Sequence, residues 1–388
     1  LFQRIIWIVL DSVGCGAMPD AASFGDPPGA DTLGNIARIR GLRLPHLARL
    51  GLGNIKPLAG IPPADTPDAA FGRCTLASPG KDTTTGHWEM AGIHLAKPFP
   101  LYPNGFPREI LDEFERRIGR SSLGNKAASG TEIIQELGAE HMHTGSPIVY
   151  TSADSVFQVA AHEEVIPIPE LYKICETARE ILHGPHEVGR VIARPFVGAP
   201  GKFTRTANRH DYAVAPPQGM LLDRLEERGV FTASVGKISD IFLGRGIRGT
   251  AKTKNNAEGM AMTLDTMSVI DCGLVFVNLV DFDMLYGHRN DIERYGAALE
   301  QFDAWLPEFE RALGPGDLAI FTADHGCDPC VPGTDHTREY VPLLAYGRGA
   351  KAGANLGLRG SLADIGQTVA ANFGAQIAEG TSFLTTLL

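Results

Sequence analysis

The sequence predicts an α/β fold: a mostly parallel sheet flanked by helices, with a second α/β domain inserted into it. Three observations lead there. Short β-prone runs recur at Arg4–Leu10, 230–235, 273–280, 318–322 and Val341–Tyr346, and most are apolar throughout, as expected of strands buried on both faces. Helix-length segments alternate with them, which favours parallel pairing. Finally, the texture breaks where Pro98, Pro100, Pro103 and Pro107 crowd together, and again at Pro216-Pro217. The chain therefore divides into a first core part (1–97), an inserted cap domain (98–215) and a second core part (216–388).

A chain of 388 residues exceeds the roughly 100–200 of one domain, so this division has ample core to draw on. With 35 basic and 45 acidic residues the net charge is -10, which argues against nucleic acid or an acidic membrane surface as a partner. No apolar run approaches the ~20 residues of a membrane span, and the run near the N-terminus stops at Asp11. Six cysteines are too sparse for a secreted disulfide framework, so a cytoplasmic enzyme is expected. Position 1 is Leu in place of an initiator Met, so the numbering is expected to be offset from that of the native chain.

Most strand candidates end in chemistry. Asp11 follows the first directly, in Asp-Ser-Val-Gly-Cys-Gly. Gly14 and Gly16 invite a dinucleotide-loop reading, but the third glycine is missing and Asp11 would repel a pyrophosphate; a metal-ligand role suits it better than a turn or cap. Ser-Pro-Gly-Lys81-Asp82-Thr83-Thr84-Thr85-Gly-His-Trp-Glu-Met turns the chain and starts a helix, with Asp82 or a threonine as N-cap and with Trp88 and Met90 in the core. A threonine at a helix start beside metals would be placed to accept a phosphoryl group.

The insert is expected to hold helices over 109–118 and 170–182, a strand at Ile148–Thr151, and two arginine-bearing runs. Arg190, Arg194, Arg205 and Arg209 in those runs suit a phosphate. Beyond it come a helix over 220–227, then Gly236-Lys237 after the 230–235 strand. The 273–280 run delivers Asp281-Phe-Asp283 and His288. Residues 318–322 lead to Asp324 and His325, with His336 in the same loop. A last helix is expected from Ser361, with Asp364 as its capping partner.

Asp11, Asp283, His288, Asp324, His325 and His336 together are three carboxylates and three imidazoles at strand ends. Oxygen and nitrogen donors without thiolate suit Mn²⁺ or Zn²⁺, and two ions ~3.5–4 Å apart would clamp the oxygens of a phosphoryl displacement. Cys327 and Cys330 form a C-x-x-C spacing in the same loop. Neither a second zinc pair nor a thioredoxin-like helix accompanies them, so they read as structural thiols.

Taken with Tyr150-Thr-Ser-Ala-Asp-Ser-Val, Gly189-Arg-Val-Ile-Ala-Arg-Pro and Gly236-Lys-Ile-Ser-Asp-Ile, these motifs resemble the phosphopentomutase family of the alkaline phosphatase superfamily nearly end to end. The resemblance implies an alkaline-phosphatase-like core with an inserted cap. It implies one Mn²⁺ on Asp11, Asp324 and His325, and another on Asp283, His288 and His336, with Thr83 as the phosphorylated nucleophile. Ser152, Asp154, Arg190, Arg205 and Lys237 would bind the sugar phosphate. The implied reaction interconverts ribose 1-phosphate and ribose 5-phosphate, and the 2-deoxyribose pair, through a 1,5-bisphosphate. A sugar bisphosphate, ribose 1,5-bisphosphate or glucose 1,6-bisphosphate, would prime it. The rivals are a phosphomonoesterase or phosphoglycerate mutase of the same superfamily, and a non-catalytic metal-stabilised binding protein.

Overall fold

The computed structural model describes residues 1–152 and 154–388; Ala153, inside one of the resemblance motifs, lies outside them. The chain divides into two compact units, Leu1–Pro98 with Pro216–Leu388, and Phe99–Ala215. Strands β1 (Arg4–Leu10) and β2 (Ala70–Cys74) precede the insert. The insert contributes β3 (Leu123–Ala127), β4 (Ile148–Thr151), β5 (Val156–His162), β6 (Arg190–Val197), β7 (Thr204–Arg205) and β8 (His210–Ala213). After it come β9 (Thr232–Val235), β10 (Gly249–Ala251), β11 (Gly273–Leu279), β12 (Asp317–Thr322), β13 (Val341–Tyr346) and β14 (Asn355–Arg359).

In the first unit eight strands form one sheet in the order β10-β9-β11-β1-β12-β13-β2-β14. Every residue of β1, β11 and β12 is buried, so both faces are covered, which is why these strands carry apolar residues at successive rather than alternate positions. Trp7 stacks on Phe276 across β1 and β11 at 4.5 Å between ring centres. Pairing is parallel except at β13, which runs antiparallel to both β12 and β2. The reason is local: the segment between β12 and β13 contains no helix to carry the chain back along the sheet, so the next strand returns in the opposite direction.

The second unit has its own six-stranded mixed sheet, β3-β4-β5-β6-β7 with β8 beside β6. Alternate residues of β5 face two different cores. Phe157, Val159 and Ala161 pack with Phe114 and Leu171 of the helices Arg108–Ile118 and Ile168–Ile181, whereas Ala160 packs with Ile133 and Ile134 of Gly130–Thr144.

One expected cap is absent. The helix expected from Ser361 spans Ala363–Asn372 and is followed by a short one, Leu384–Leu387; Asp364 does not close a box with Ser361. Its carboxylate accepts from Arg359 and from the Thr381 amide, while the Ser361 hydroxyl donates to Glu89. Stronger distant partners outcompete the local pair. Among the described residues no helix is long and apolar enough to cross a membrane.

Candidate metal centre

The register of the sheet brings the chemistry to one edge. Leu10 pairs with Leu279, Val9 with Thr322, and Val277 with Val235. The next residues of these four strands, Asp11, Asp281 to Asp283, Asp324 with His325, and Lys237, therefore emerge side by side at their carboxyl ends. The five-residue π-helical turn Phe282–Tyr286 after β11 carries Asp283, and a 3₁₀ turn, Gly287–Arg289, carries His288.

Two groups of donor atoms converge within 4.8 Å: Asp11, Asp324 and His325, and Asp283, His325 and His336. His288 falls in a third group with Asp283 and Cys327. Asp283 explains the split, since its Oδ1 lies 3.1 Å from His336 Nε2 and its Oδ2 lies 3.4 Å from His288 Nε2. A divalent cation fits this donor set. Asp11 Oδ1, Asp283 Oδ1, Asp324 Oδ2 and His336 Nε2 are all buried and, among the described residues, lack hydrogen-bond partners. His336 Nε2 and Asp283 Oδ1 stand at hydrogen-bonding distance without bonding, as two ligand atoms aimed at a common point do. The Nδ1 atoms of His325 and His288 donate to the carbonyls of Gly326 and Thr334, at 3.0 and 2.6 Å, which turns each Nε2 toward the cluster.

Thr83 opens the helix Thr83–Met90, capped by the Asp82 carboxylate, which accepts from the Thr85 amide. Thr83 Oγ1 lies 3.1 Å from His325 Nε2. Thr85 is otherwise engaged: it is buried, and its hydroxyl donates to Asp82 at 2.6 Å. Gly86 lets this helix approach the metal loop, because a Cβ there would stand 2.4 Å from the Asp324 carbonyl oxygen. The segment leading to Thr83 is clamped by Arg338, whose guanidinium donates to the carbonyls of Leu76, Ser78 and Gly80. Lys81 bridges Asp26 and Asp335 at 2.8 and 2.9 Å.

Crowded burial sets the electrostatics. Burial, then the neighbouring Asp324 charge, pushes Asp11 up to about 6. Burial would raise Asp283 as well, but His336, His288 and His325 outweigh it and hold it well below the usual carboxylate range. His288 is pushed up to about 9 by its bond to Asp283. His325 is pushed up to about 10: burial opposes this, and Asp324, Asp283 and Asp11 overcome it. For Lys237 burial is likewise overcome by Asp11, Asp283 and Asp324, so its ammonium is held above its ordinary value. The edge is an anionic well that retains positive charge.

Of the residues expected to bind sugar phosphate, Ser152, Asp154, Arg190 and Arg205 line one cavity of about 320 Å³ within the insert, with Arg194, Arg209 and Gln158. Burial and then the charge of Arg209 lower Arg194 from its ordinary value, a sign of cationic crowding suited to an anion. Lys237 belongs to the core instead, its Nζ 3.4 Å from Asp11 Oδ2.

Several participants escaped the sequence reading. His87 and Asn278 are fully buried beside Asp11 and Asp324; a polar residue inside the 273–280 run was a signal, as was a histidine one turn after Thr83. Glu339 explains the two early glycines: its carboxylate accepts from the Gly16 amide at 3.0 Å, and a Cβ at Gly14 would collide with it. Cys327 and Cys330 are free thiols, and the expectation of a purely oxygen and nitrogen neighbourhood is modified by Cys327 beside Asp283 and His288.

A helix-start threonine beside convergent carboxylates and imidazoles on a parallel-sheet edge is the arrangement of a metal-dependent enzyme of the alkaline phosphatase superfamily. In agreement, the Metalloenzyme superfamily profile matches residues 3–377. The chain belongs to the phosphopentomutase family, and so to the enzymes of the mutase type. It is 58% identical to the phosphopentomutase of Caldanaerobacter subterraneus subsp. tengcongensis over 388 residues, covering 100% of this chain and 98% of that one. It is 54% identical to that of Clostridium novyi over 386 residues, 99% of each. Among solved structures, Leishmania mexicana phosphoglycerate mutase shares the fold, with a TM-score of 0.52 at 13% identity over 98% of this chain and 96% of that one.

Proposed function

We propose that the chain interconverts ribose 1-phosphate and ribose 5-phosphate, and the 2-deoxyribose pair, through a phosphothreonine at Thr83. The observation that carries this is the position of Thr83 Oγ1 at 3.1 Å from His325 Nε2, at the rim of the buried donor cluster. Asp11, Asp324 and His325 would hold one Mn²⁺, and Asp283, His288 and His336 the other. When bound, the ions supply positive charge to the transferring phosphoryl oxygens and to the Thr83 alkoxide.

The chain's own residues do the rest. Thr83 Oγ1 carries the phosphoryl group at a helix start, where free amides favour an anion. The free hydroxyl of the incoming pentose monophosphate attacks phosphorus, the bond to Oγ1 breaks, and the hydroxyl proton is released. The resulting 1,5-bisphosphate returns its other phosphoryl group to Thr83, regenerating the phosphoenzyme and leaving the isomeric monophosphate. Arg190 and Arg205 would hold the phosphate that is not reacting, and Ser152 and Asp154 would orient the ribose. Lys237, next to Asp11, would complete the set. A sugar bisphosphate, ribose 1,5-bisphosphate or glucose 1,6-bisphosphate, would phosphorylate Thr83 at the outset.

The decisive assay follows ribose 5-phosphate formed from ribose 1-phosphate with Mn²⁺ and a bisphosphate primer. Phosphomonoester hydrolysis and phosphoglycerate mutation are measured on the same preparation. Turnover of either alternative in the absence of pentose isomerisation would overturn the proposal.

A further inference from the structure

His87 and Asn278 are two fully buried polar side chains that the proposed reaction leaves without a role. Asn278 lies in β11, next to β1, which Asp11 directly follows, and His87 sits one helical turn after Thr83. Asn278 Nδ2 is 3.1 Å from Asp11 Oδ2 and 3.4 Å from His87 Nε2. On its other side, His87 Nδ1 is 2.9 Å from the Thr83 carbonyl oxygen and 3.3 Å from Asp324 Oδ2.

Elimination fixes the direction of every bond in this chain. An ionised carboxylate only accepts, so Asn278 must present its NH₂ group to Asp11; turned over, it would set oxygen against oxygen. The second hydrogen on the same nitrogen faces His87 Nε2, which must therefore accept. The imidazole proton is left on Nδ1, where it donates to the Thr83 carbonyl.

The consequence reaches both carboxylates. Asn278 occupies Asp11 Oδ2 and leaves Oδ1 without a partner among the described residues. The Ser12 amide occupies Asp324 Oδ1 at 3.0 Å and leaves Oδ2, next to the His87 ring, equally without one. Each carboxylate thus has one oxygen tied and one oxygen offered.

We infer that the His87–Asn278 pair is a positioning device, which sets the offered oxygen of Asp11, ties it to the backbone of the nucleophile Thr83, and packs the His87 ring beside the offered oxygen of Asp324. This deepens the metal-dependent reading above and rests on it. Neither side chain touches reacting atoms. Their effect is selective, because their hydrogen bonds go to Asp11 and Thr83, whereas Asp283 lies 3.1 Å from His336 and 3.4 Å from His288, and His288 Nδ1 donates to the Thr334 carbonyl.

Two measurements test the inference. The first uses the wild-type chain, labelled with ¹⁵N-histidine and loaded with diamagnetic Zn²⁺. Long-range ¹H–¹⁵N couplings report which ring nitrogen is protonated, and the His87 signal is assigned by its loss in His87→Asn or its shift in Asn278→Ala. The Nδ1-protonated form is expected; an Nε2-protonated or doubly protonated ring overturns the proposal.

The second titrates Mn²⁺ into wild type, Asn278→Ala, His87→Leu and His87→Asn, with free Mn²⁺ followed by electron paramagnetic resonance. Affinity for one ion should fall about 10- to 100-fold in Asn278→Ala and His87→Leu while the other ion is retained. His87→Asn, which keeps an N–H near the Nδ1 position, should lose less. Unchanged affinity for both ions, or equal loss of both, overturns the inference while leaving the metal reading intact. Wild type that binds no Mn²⁺ overturns both.

Discussion

Thr83 Oγ1 and His325 Nε2 stand 3.1 Å apart although 242 positions separate them in the chain. The helix that starts at Thr83 and the loop after β12 thereby meet at the buried donor cluster. A phosphoryl group on Thr83 is expected only if this contact aims the hydroxyl at the cluster. After incubation with a sugar bisphosphate, mass spectrometry of peptides should find phosphate on Thr83. Thr83→Ala should lower turnover by several orders of magnitude, as loss of a covalent nucleophile does. Thr85→Ala, which removes a bond to Asp82, should keep the modification. Phosphate on Thr85 would refute the assignment.

Metal affinity should rise with pH. In the metal-free protein the bond to Asp283 holds His288 at about 9, against an ordinary 6.5. Its protonated form stabilises that state fully below pH 6.5, and the stabilisation is lost as pH rises through 9. An ion binding at Nε2 must displace this proton, so affinity increases across the same window, by up to about tenfold per unit for each proton displaced. Calorimetric titration of Mn²⁺ in buffers of different ionisation enthalpy measures the proton release. Asp283→Ala should abolish high-affinity binding and turnover; pH-independent binding in wild type would contradict the mechanism.

The insert should decide between transfer to sugar and loss to water. Water at ~55 M competes for any phosphothreonine, so a mutase needs its acceptor positioned. Arg190→Ala and Arg205→Ala should keep bound metal and Thr83 phosphorylation but lose mutase activity by roughly 2 kcal/mol or more of transition-state stabilisation. Hydrolysis of the phosphoenzyme should fall far less, or rise. If mutase activity survives in both variants, the sugar-phosphate contacts lie in the core, with Lys237 the next candidate.

Arg338 should matter for stability as much as for activity. Its side chain is 3% exposed and satisfies three buried carbonyls on the segment before Thr83, with Asp20 as counter-charge. Arg338→Met leaves those acceptors unpaired and should cost about 3 kcal/mol of unfolding free energy. Urea denaturation of the metal-free protein measures it. A loss under about 0.5 kcal/mol, typical of an uninvolved surface position, would show the clamp to be incidental.

The sequence by itself determined six of the strands, β1, β4, β9, β11, β12 and β13, and most of the candidate ligands. A strand covered on both faces must be apolar throughout, and such runs as Arg4–Leu10 and 318–322 are visible one residue at a time, together with the polar residues that end them. The texture change near 98 and 216 was equally local. What the tertiary structure decided were relations across long separations. It set the register that aligns Asp11 with Asp283 and Asp324, the reversal of β13, and the choice of Glu89 over Asp364 as partner of Ser361 across 272 positions. It also gave His87 and Asn278, 191 positions apart, a shared set of hydrogen bonds. Apolar periodicity fixes which residues leave water, because that depends on the near neighbours of each. Which buried polar atom meets which depends on the order in which strands assemble, and no local pattern encodes it.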